Sequence, residues 1–207
     1  RSKYLLLRFS SGTLLIHLGM SGTIRVISDK IPAAKHDHFE LALSNKKLLR
    51  LNDPRRFGAV LWFADHIDDQ GILAKLGPEP LTEDFCNGYL FTKANNRKVP
   101  IKTFLMDNQV VVGVGNIYAN EALFLAGILP TTPVNRISEA RFDRLTDIIK
   151  QVLSQAIVQG GTTLKDFTQV DGRPGYFAQS LYVYGRAGKP CLSCQTPLAE
   201  VRQSNRS

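Results

Sequence analysis

Cysteine is scarce in this chain, with three among 207 residues, and tryptophan occurs once. So few cysteines exclude the disulfide framework of a small secreted domain. No apolar run reaches the ~20 residues that a helix needs to cross a bilayer. The opening Arg-Ser-Lys-Tyr has no signal-peptide pattern, so the expected location is the cytoplasm. Internal repeats and low-complexity tracts are missing, which removes solenoids and compositionally biased linkers. Acidic residues are also short, 18 against 26 Lys and Arg, leaving a net charge of +8.

What is present suits an ordinary folded protein: 43 % hydrophobic and 21 % charged residues. The length fits one large or two small domains. A basic balance attracts polyanions, because each phosphate neutralised by Lys or Arg releases a condensed counterion. The charge alone does not separate nucleic-acid binders from other basic proteins.

The first third reads as β-structure. Tyr4–Phe9, Thr13–His17, Thr23–Val26, Asp37–Leu43, Lys47–Leu51 and Ala59–Phe63 are short runs of strand formers. Ser10-Ser11-Gly12, Gly19, Gly22 and Ser44-Asn45 punctuate them. This spacing predicts an antiparallel sandwich or barrel. Gly77-Pro78-Glu79-Pro80 is a stiff connector and a predicted domain boundary. Short helices are predicted over Asp84–Lys93, Pro100–Met106 and Ile117–Leu125, and a long one over Ser138–Gln159. In the long helix Phe142, Leu145, Ile148, Ile149, Val152, Leu153, Ala156 and Ile157 recur at three and four residues. Leu181–Tyr184 is predicted as a strand, and Cys86 as a buried small residue.

Several short motifs carry chemistry, each with two readings. Cys191-Leu-Ser-Cys194 has the spacing of two zinc thiolates, or of a redox pair. Zinc wants four ligands, and His17, His36, His38 and His66 all lie far back in the β region. Asp53-Pro-Arg-Arg-Phe-Gly58 places two arginines and an aromatic in one turn. Such a turn reads bases and wedges between them, or is merely solvated. Met20, in His17-Leu-Gly-Met-Ser-Gly22, is an exposed wedge or a core filler. Val112-Gly-Val-Gly-Asn116 precedes a helix, and such a terminus can hold a phosphate. It matches neither the P-loop nor the dinucleotide fingerprint.

Together these segments resemble one family. The opening Lys3–Leu7, the motif at His17–Gly22, Lys35-His-Asp-His38 and Asp53–Gly58 are similar to the N-terminal domain of formamidopyrimidine-DNA glycosylases. Leu76–Leu81 and Ile101–Glu121 resemble that family's helix-two-turn-helix module. Gly160–Phe167, Asp171–Phe177 and Val183–Cys191 resemble its lesion loop and the lead-in to its zinc finger. The motifs are collinear and span essentially the whole chain.

The resemblance implies an α+β multidomain protein. An N-terminal antiparallel β-sandwich would occupy residues 1–76, a helix-two-turn-helix domain 77–182 with a lesion loop at 162–177, and an incomplete zinc finger 183–207. It implies a glycosylase and AP lyase of base excision repair, acting as a monomer and without a membrane. The implied partner is duplex DNA carrying an oxidised purine opposite cytosine, or an abasic site. Lys3 and Arg206 would assist catalysis. Met20, Arg55 and Phe57 would fill the gap left by the extruded base, with Arg55 pairing to the orphaned cytosine. His36, His38, Arg97, Lys102, Asn116 and Lys165 would contact DNA. Thr162, Thr163, Gly172, Gly175 and Tyr176 would belong to the lesion loop. Cys191 and Cys194 would supply two of four ligands to a structural Zn²⁺.

The sequence departs from the family at both ends. The family begins with a proline whose α-amine attacks the sugar, followed by a catalytic glutamate, whereas this sequence opens at Arg1. The expectation is an internal portion of a longer protein, its second cysteine pair beyond Ser207, that alone neither excises a base nor forms the imine. Two rivals stand: an endonuclease VIII-like enzyme for oxidised pyrimidines, and a non-catalytic damage-binding module.

Overall fold

A computed structural model describes residues 1–64, 67, 71–161, 181–203 and 205–207. Lys165 and the lesion-loop positions Thr162, Thr163, Gly172, Gly175 and Tyr176 lie outside the described residues, as does His66. Two compact units emerge. One takes Arg1, Lys3–Ala74 and the described part of Val158–Gln179; the other takes Ser2, Lys75–Ile157 and the described part of Ser180–Ser207. Residues 183–207 thus cluster with the helical unit.

The first unit holds two three-stranded antiparallel sheets. In one, β2 (Gly12–His17) runs between β1 (Tyr4–Phe9) and β6 (Ala59–Phe63). In the other, β5 (Lys47–Asn52) runs between β3 (Thr23–Ser28) and β4 (Asp37–Leu43). The sequence pattern explains these roles. β4 alternates half-buried and exposed residues along its whole length, as expected for a strand with one wet face. β2 buries Thr13, Leu14, Leu15 and Ile16 in succession, as a strand covered on both faces does. Leu14 and Ile16 from one sheet and Leu51 from the other form one apolar cluster, with Ile24, Phe39, Leu49 and Val60 packed against it.

Charged side chains brace the second sheet. Arg50 is only 3 % exposed. It donates to the carbonyls of Ile31 and Pro32 at 2.6 and 3.0 Å, and it pairs with Glu40 at 2.6 Å. The Asp37 carboxylate accepts from the Ala34 N–H and the Asn52 amide, both at 2.8 Å, and lies 3.4 Å from Arg50. These bonds fix the segment that leads into His36 and His38.

The second unit is helical: α1 (Tyr89–Ala94), α2 (Ile101–Leu105), α3 (Asn116–Ala126) and α4 (Glu139–Val158). Phe85, Phe104, Leu105, Leu123, Phe142 and Leu145 lie at its core, each 0–1 % exposed. Burial of a side chain of this size contributes roughly 1.5–3 kcal/mol. α3 ends at Gly127, whose φ of 66° permits the Ile128 N–H to reach the Leu123 carbonyl. Between α2 and α3 the chain makes two tight turns, around Asp107 and through Gly113 at φ 79°. Val110, Val111 and Val112 are fully buried there. Gly77 lies so close that an added Cβ would stand 2.5 Å from the Val110 carbonyl oxygen.

Four expectations need correction. The first short helix begins at Tyr89 rather than Asp84, because successive turns at Phe85 and Tyr89 and a left-handed Gly88 precede it. Ile157 is 66 % exposed, so the core stripe of α4 stops at Ala156. Cys86 is exposed. Leu181–Tyr184 forms no strand, since its backbone donors are taken by a side chain. The N–H groups of Tyr182, Val183 and Tyr184 all donate to the buried Glu121 carboxylate, at 2.7, 3.0 and 2.8 Å.

Candidate nucleic-acid interface

Two turns of the β unit adjoin each other. The first, Leu18–Gly22, is closed by the Gly22 N–H on the Leu18 carbonyl at 2.9 Å and by the Gly19 N–H on His17 Nδ1 at 3.2 Å. Met20 projects from it, 58 % exposed. The second turn, Asp53–Gly58, carries Arg55 and Phe57. Phe57 is 61 % exposed, and the Arg55 guanidinium lies 5.9 Å from its ring centroid. The two backbones touch: a Cβ on Gly19 would stand 2.6 Å from the Phe57 carbonyl carbon. The structure therefore brings Met20, Arg55 and Phe57 together on adjoining turns and leaves their tips outside the core. An exposed methionine and phenylalanine on rigid turns are what a base-stack wedge requires.

Asp53 organises this arrangement and was missed by reading only the arginines and the aromatic of its motif. Its side chain is buried at 3 % exposure. Oδ2 accepts the Gly58 N–H at 2.7 Å and Oδ1 accepts the Ser21 hydroxyl at 3.1 Å. The N–H groups of Arg55 and Arg56 also point to the carboxylate. Burial disfavours its ionised form, but these donors outweigh burial and hold the carboxyl below its ordinary pKa. An available signal was the Asp-Pro pair, which initiates turns through the Asp side chain. Asp37 behaves alike: burial raises its pKa, and Ala34, Asn52, Arg50 and Arg25 together lower it further.

His36 and His38 flank Asp37 at the same end of the sheet, their rings 6.3 Å apart. The His36 carbonyl accepts the Asp53 N–H at 2.9 Å, which ties this segment to the Asp53–Gly58 turn. Arg56, in a left-handed conformation at φ 55°, donates to His38 Nε2 at 3.4 Å. Lys3, also left-handed at φ 66°, stands exposed just before β1.

In the helical unit, Lys102 is buried to 3 % exposure, and its Nζ donates to the Ser207 carbonyl at 2.7 Å. Burial lowers its pKa, and the Arg206 guanidinium beside it lowers it again. Arg206 is exposed. Asn116 opens α3, and its Oδ1 is buried with no hydrogen-bond partner among the described residues. Arg97 is elsewhere engaged, 3.7 Å from Asp107 and 5.6 Å from the Phe104 ring centroid.

The cysteine pair sits in a knuckle closed by the Cys191 N–H on the Thr196 carbonyl and the Gln195 N–H on the Cys191 carbonyl, at 2.9 and 3.0 Å. The Ser193 N–H points at Cys191 Sγ at 3.4 Å. Thr196, through its hydroxyl and its backbone, and then Cys191 lower the pKa of the Cys194 thiol. Two thiols so placed fit half of a tetrahedral zinc site. Among the described residues no third His, Cys, Asp or Glu joins them.

Two three-stranded antiparallel sheets whose adjoining turns expose Met20, Arg55 and Phe57, and a helical unit that gathers Lys102 and Arg206, suit a protein that meets a polyanion. Comparison with known proteins makes the class specific. Residues 1–60 match the formamidopyrimidine-DNA glycosylase N-terminal domain, and residues 76–168 match the formamidopyrimidine-DNA glycosylase H2TH domain. The formamidopyrimidine-DNA glycosylase of Colwellia psychrerythraea is 73 % identical over all 207 residues, which cover 76 % of that relative. The one from Marinobacter nauticus is 56 % identical over the same span, which again covers 76 % of the relative. Among solved structures, MutM (Fpg) from Thermus thermophilus superposes with a TM-score of 0.88 at 37 % identity, covering 99 % of this chain and 76 % of that one. Lactococcus lactis Fpg in complex with abasic-site DNA gives 0.89 at 31 % identity, covering 100 % and 76 %. The chain belongs to the formamidopyrimidine-DNA glycosylase family.

Proposed function

We propose that the full-length protein excises oxidised purines, 8-oxoguanine and formamidopyrimidines, from duplex DNA and then cleaves the strand at the abasic site. The observation that carries this reading is the exposed trio Met20, Arg55 and Phe57 on two turns held backbone to backbone. Pulling a base from the stack costs a few kcal/mol. Met20 and Phe57 offset that cost by filling the vacancy, and Arg55 bonds the cytosine left behind.

The nucleophile of the family, an N-terminal proline amine, is not among these 207 residues. An α-amine suits the task because its pKa, near ~7.7, leaves much of it unprotonated at neutral pH. Its nitrogen bonds to C1′ as the base departs with the glycosidic electron pair and gains a proton. The C1′–O4′ bond then breaks, O4′ taking a proton, and the imine of the opened sugar is an electron sink: loss of a 2′ proton expels the 3′ phosphate, and a second elimination expels the 5′ phosphate. Lys3 moves protons at the sugar. Arg206 meets phosphate, with Lys102 adding positive potential, and Asn116 offers its amide to a neighbouring phosphate. Burial, and then Arg206, disfavour the charged form of Lys102, and a bound anion would favour it. His36, His38 and Arg97 are assigned to the backbone, as is Lys165, and residues 162–177, including Thr162, Thr163, Gly172, Gly175 and Tyr176, to closure over the everted base.

We further read the two sheets as an antiparallel sandwich, supported by their shared apolar cluster. The domains we propose are 1–76, 77–182 and 183–207, the last clustering with the helical unit. Cys191 and Cys194 would hold one side of a structural Zn²⁺, which would fix the C-terminal finger.

The test uses full-length protein on duplexes with one lesion opposite cytosine. Excision of 8-oxoguanine well above thymine glycol, with a borohydride-trapped covalent adduct, is the expected result. A preference for thymine glycol would favour the endonuclease VIII reading. Tight binding without excision or trapping would favour a passive damage binder.

A further inference from the structure

The wedge reading assigns work to Met20, Arg55 and Phe57 but not to the group between their turns. The Asp53 carboxylate touches both turns: the Ser21 hydroxyl of the Met20 turn reaches Oδ1 at 3.1 Å, and the Gly58 N–H of the Phe57 turn reaches Oδ2 at 2.7 Å. Each carboxylate oxygen therefore answers to a different turn. The Asp53 N–H is committed to the His36 carbonyl at 2.9 Å, and the Asp53 carbonyl accepts the Arg56 N–H at 3.2 Å. A Cβ on Gly58 would stand 2.9 Å from Oδ2, so only glycine admits so close an approach there.

We propose that Asp53 is a positioning residue for lesion recognition, joining the Met20 turn and the Arg55–Phe57 turn into one rigid wedge through Ser21 and Gly58. The proposal rests on the glycosylase reading above and adds to it the device that keeps the wedge in register. A side chain entering a base stack must hold its place against bases that tend to close the gap. Two independent turns would each yield, whereas turns sharing one buried acceptor move together or not at all. Misplacement by ~1 Å far from the reacting atoms is enough to slow a reaction ~100-fold. Asp53 touches no substrate; it acts through the three side chains it aligns.

Ser21→Ala is the deciding variant, because it severs the link between turns and leaves the Asp53–Gly58 turn whole. Full-length wild type, Ser21→Ala, Ser21→Thr and Asp53→Asn are compared by single-turnover excision of 8-oxoguanine opposite cytosine and opposite adenine. Affinity for undamaged duplex and thermal unfolding are measured alongside. Ser21→Ala is expected to slow excision opposite cytosine by ~10-fold and to narrow the cytosine-to-adenine ratio, within the range that misplacement produces. Affinity for undamaged duplex stays unchanged, the unfolding temperature falls by no more than the loss of one hydrogen bond, and Ser21→Thr restores the rate and the stability together. Asp53→Asn follows the same direction with a larger loss. An active wild type whose Ser21→Ala variant keeps both the rate and the ratio would overturn the proposal alone. So would losses that merely track unfolding or binding to undamaged duplex. A wild type that excises nothing sinks the glycosylase reading, and this proposal with it. Ser21 is half-buried in a turn, so its variant decides the matter even if Asp53→Asn does not fold.

Discussion

Gly19 combines two constraints that no other residue type satisfies. Its φ is +64°, and a Cβ would meet the carbonyl carbon, carbonyl oxygen and following nitrogen of Phe57–Gly58 at 2.6, 2.7 and 2.8 Å. All three neighbours are backbone, so none can swing away. Gly19→Ala is expected to destabilise the β unit by roughly 1–3 kcal/mol, the usual strain of a left-handed non-glycine residue, read from urea unfolding. Asp53 gives a second prediction at this scale. Its folded-state pKa lies below its ordinary value, so its stabilisation is complete above the unfolded carboxylate value of ~3.9 and is lost as pH falls through the lower folded value. Stability of the wild type should drop on acidification below about pH 4. The drop should shrink in Asp53→Asn but not vanish, since Asp37 is shifted the same way. The motif residues Met20, Arg55 and Phe57 were legible because family patterns mark them. Their exposure was not, because a methionine beside a strand is apolar in sequence whether it faces the core or the solvent. Ser21 stayed hidden because a hydrogen bond between distant turns leaves no local pattern, whereas the local part of the Asp53 role is marked by its Asp-Pro pair.

At the scale of elements, the strands were read within two residues at every end. Alternation in β4 and the Ser10-Ser11 turn act locally, and nothing distant overrides them. The α4 stripe was legible for the same reason, and its energetic content is testable. Phe142→Ala should cost about 3–5 kcal/mol by chemical denaturation, because the side chain is fully buried among Phe91 and Phe104. Ile157→Ala, at 66 % exposure, should stay within about 0.5 kcal/mol of wild type. Leu181–Tyr184 was misread because strand propensity cannot foresee a carboxylate 61 residues upstream that captures three consecutive amides. Glu121→Gln replaces an acceptor oxygen with an NH₂ facing those donors. It should destabilise the helical unit by about 1–3 kcal/mol and accelerate hydrogen exchange at Tyr182, Val183 and Tyr184.

Across the molecule, the net charge of +8 and the nearness of Lys102 and Arg206 make a field that favours polyanions. Composition gave the sign of this field but not its layout, which depends on burying one cation and exposing the other. Arg206→Ala should weaken binding to all duplexes alike and reduce the slope of log affinity against log salt by about one unit. The proposed function assigns specificity instead to Met20, Arg55 and Phe57. The most direct measurement is therefore single-turnover excision of 8-oxoguanine by the full-length Phe57→Ala and Met20→Ala proteins, paired with affinity for undamaged duplex. Excision should fall by ~100-fold, as loss of positioning produces, while affinity for undamaged duplex changes little. Wild-type excision in both variants, or a parallel loss of general binding, would contradict the account.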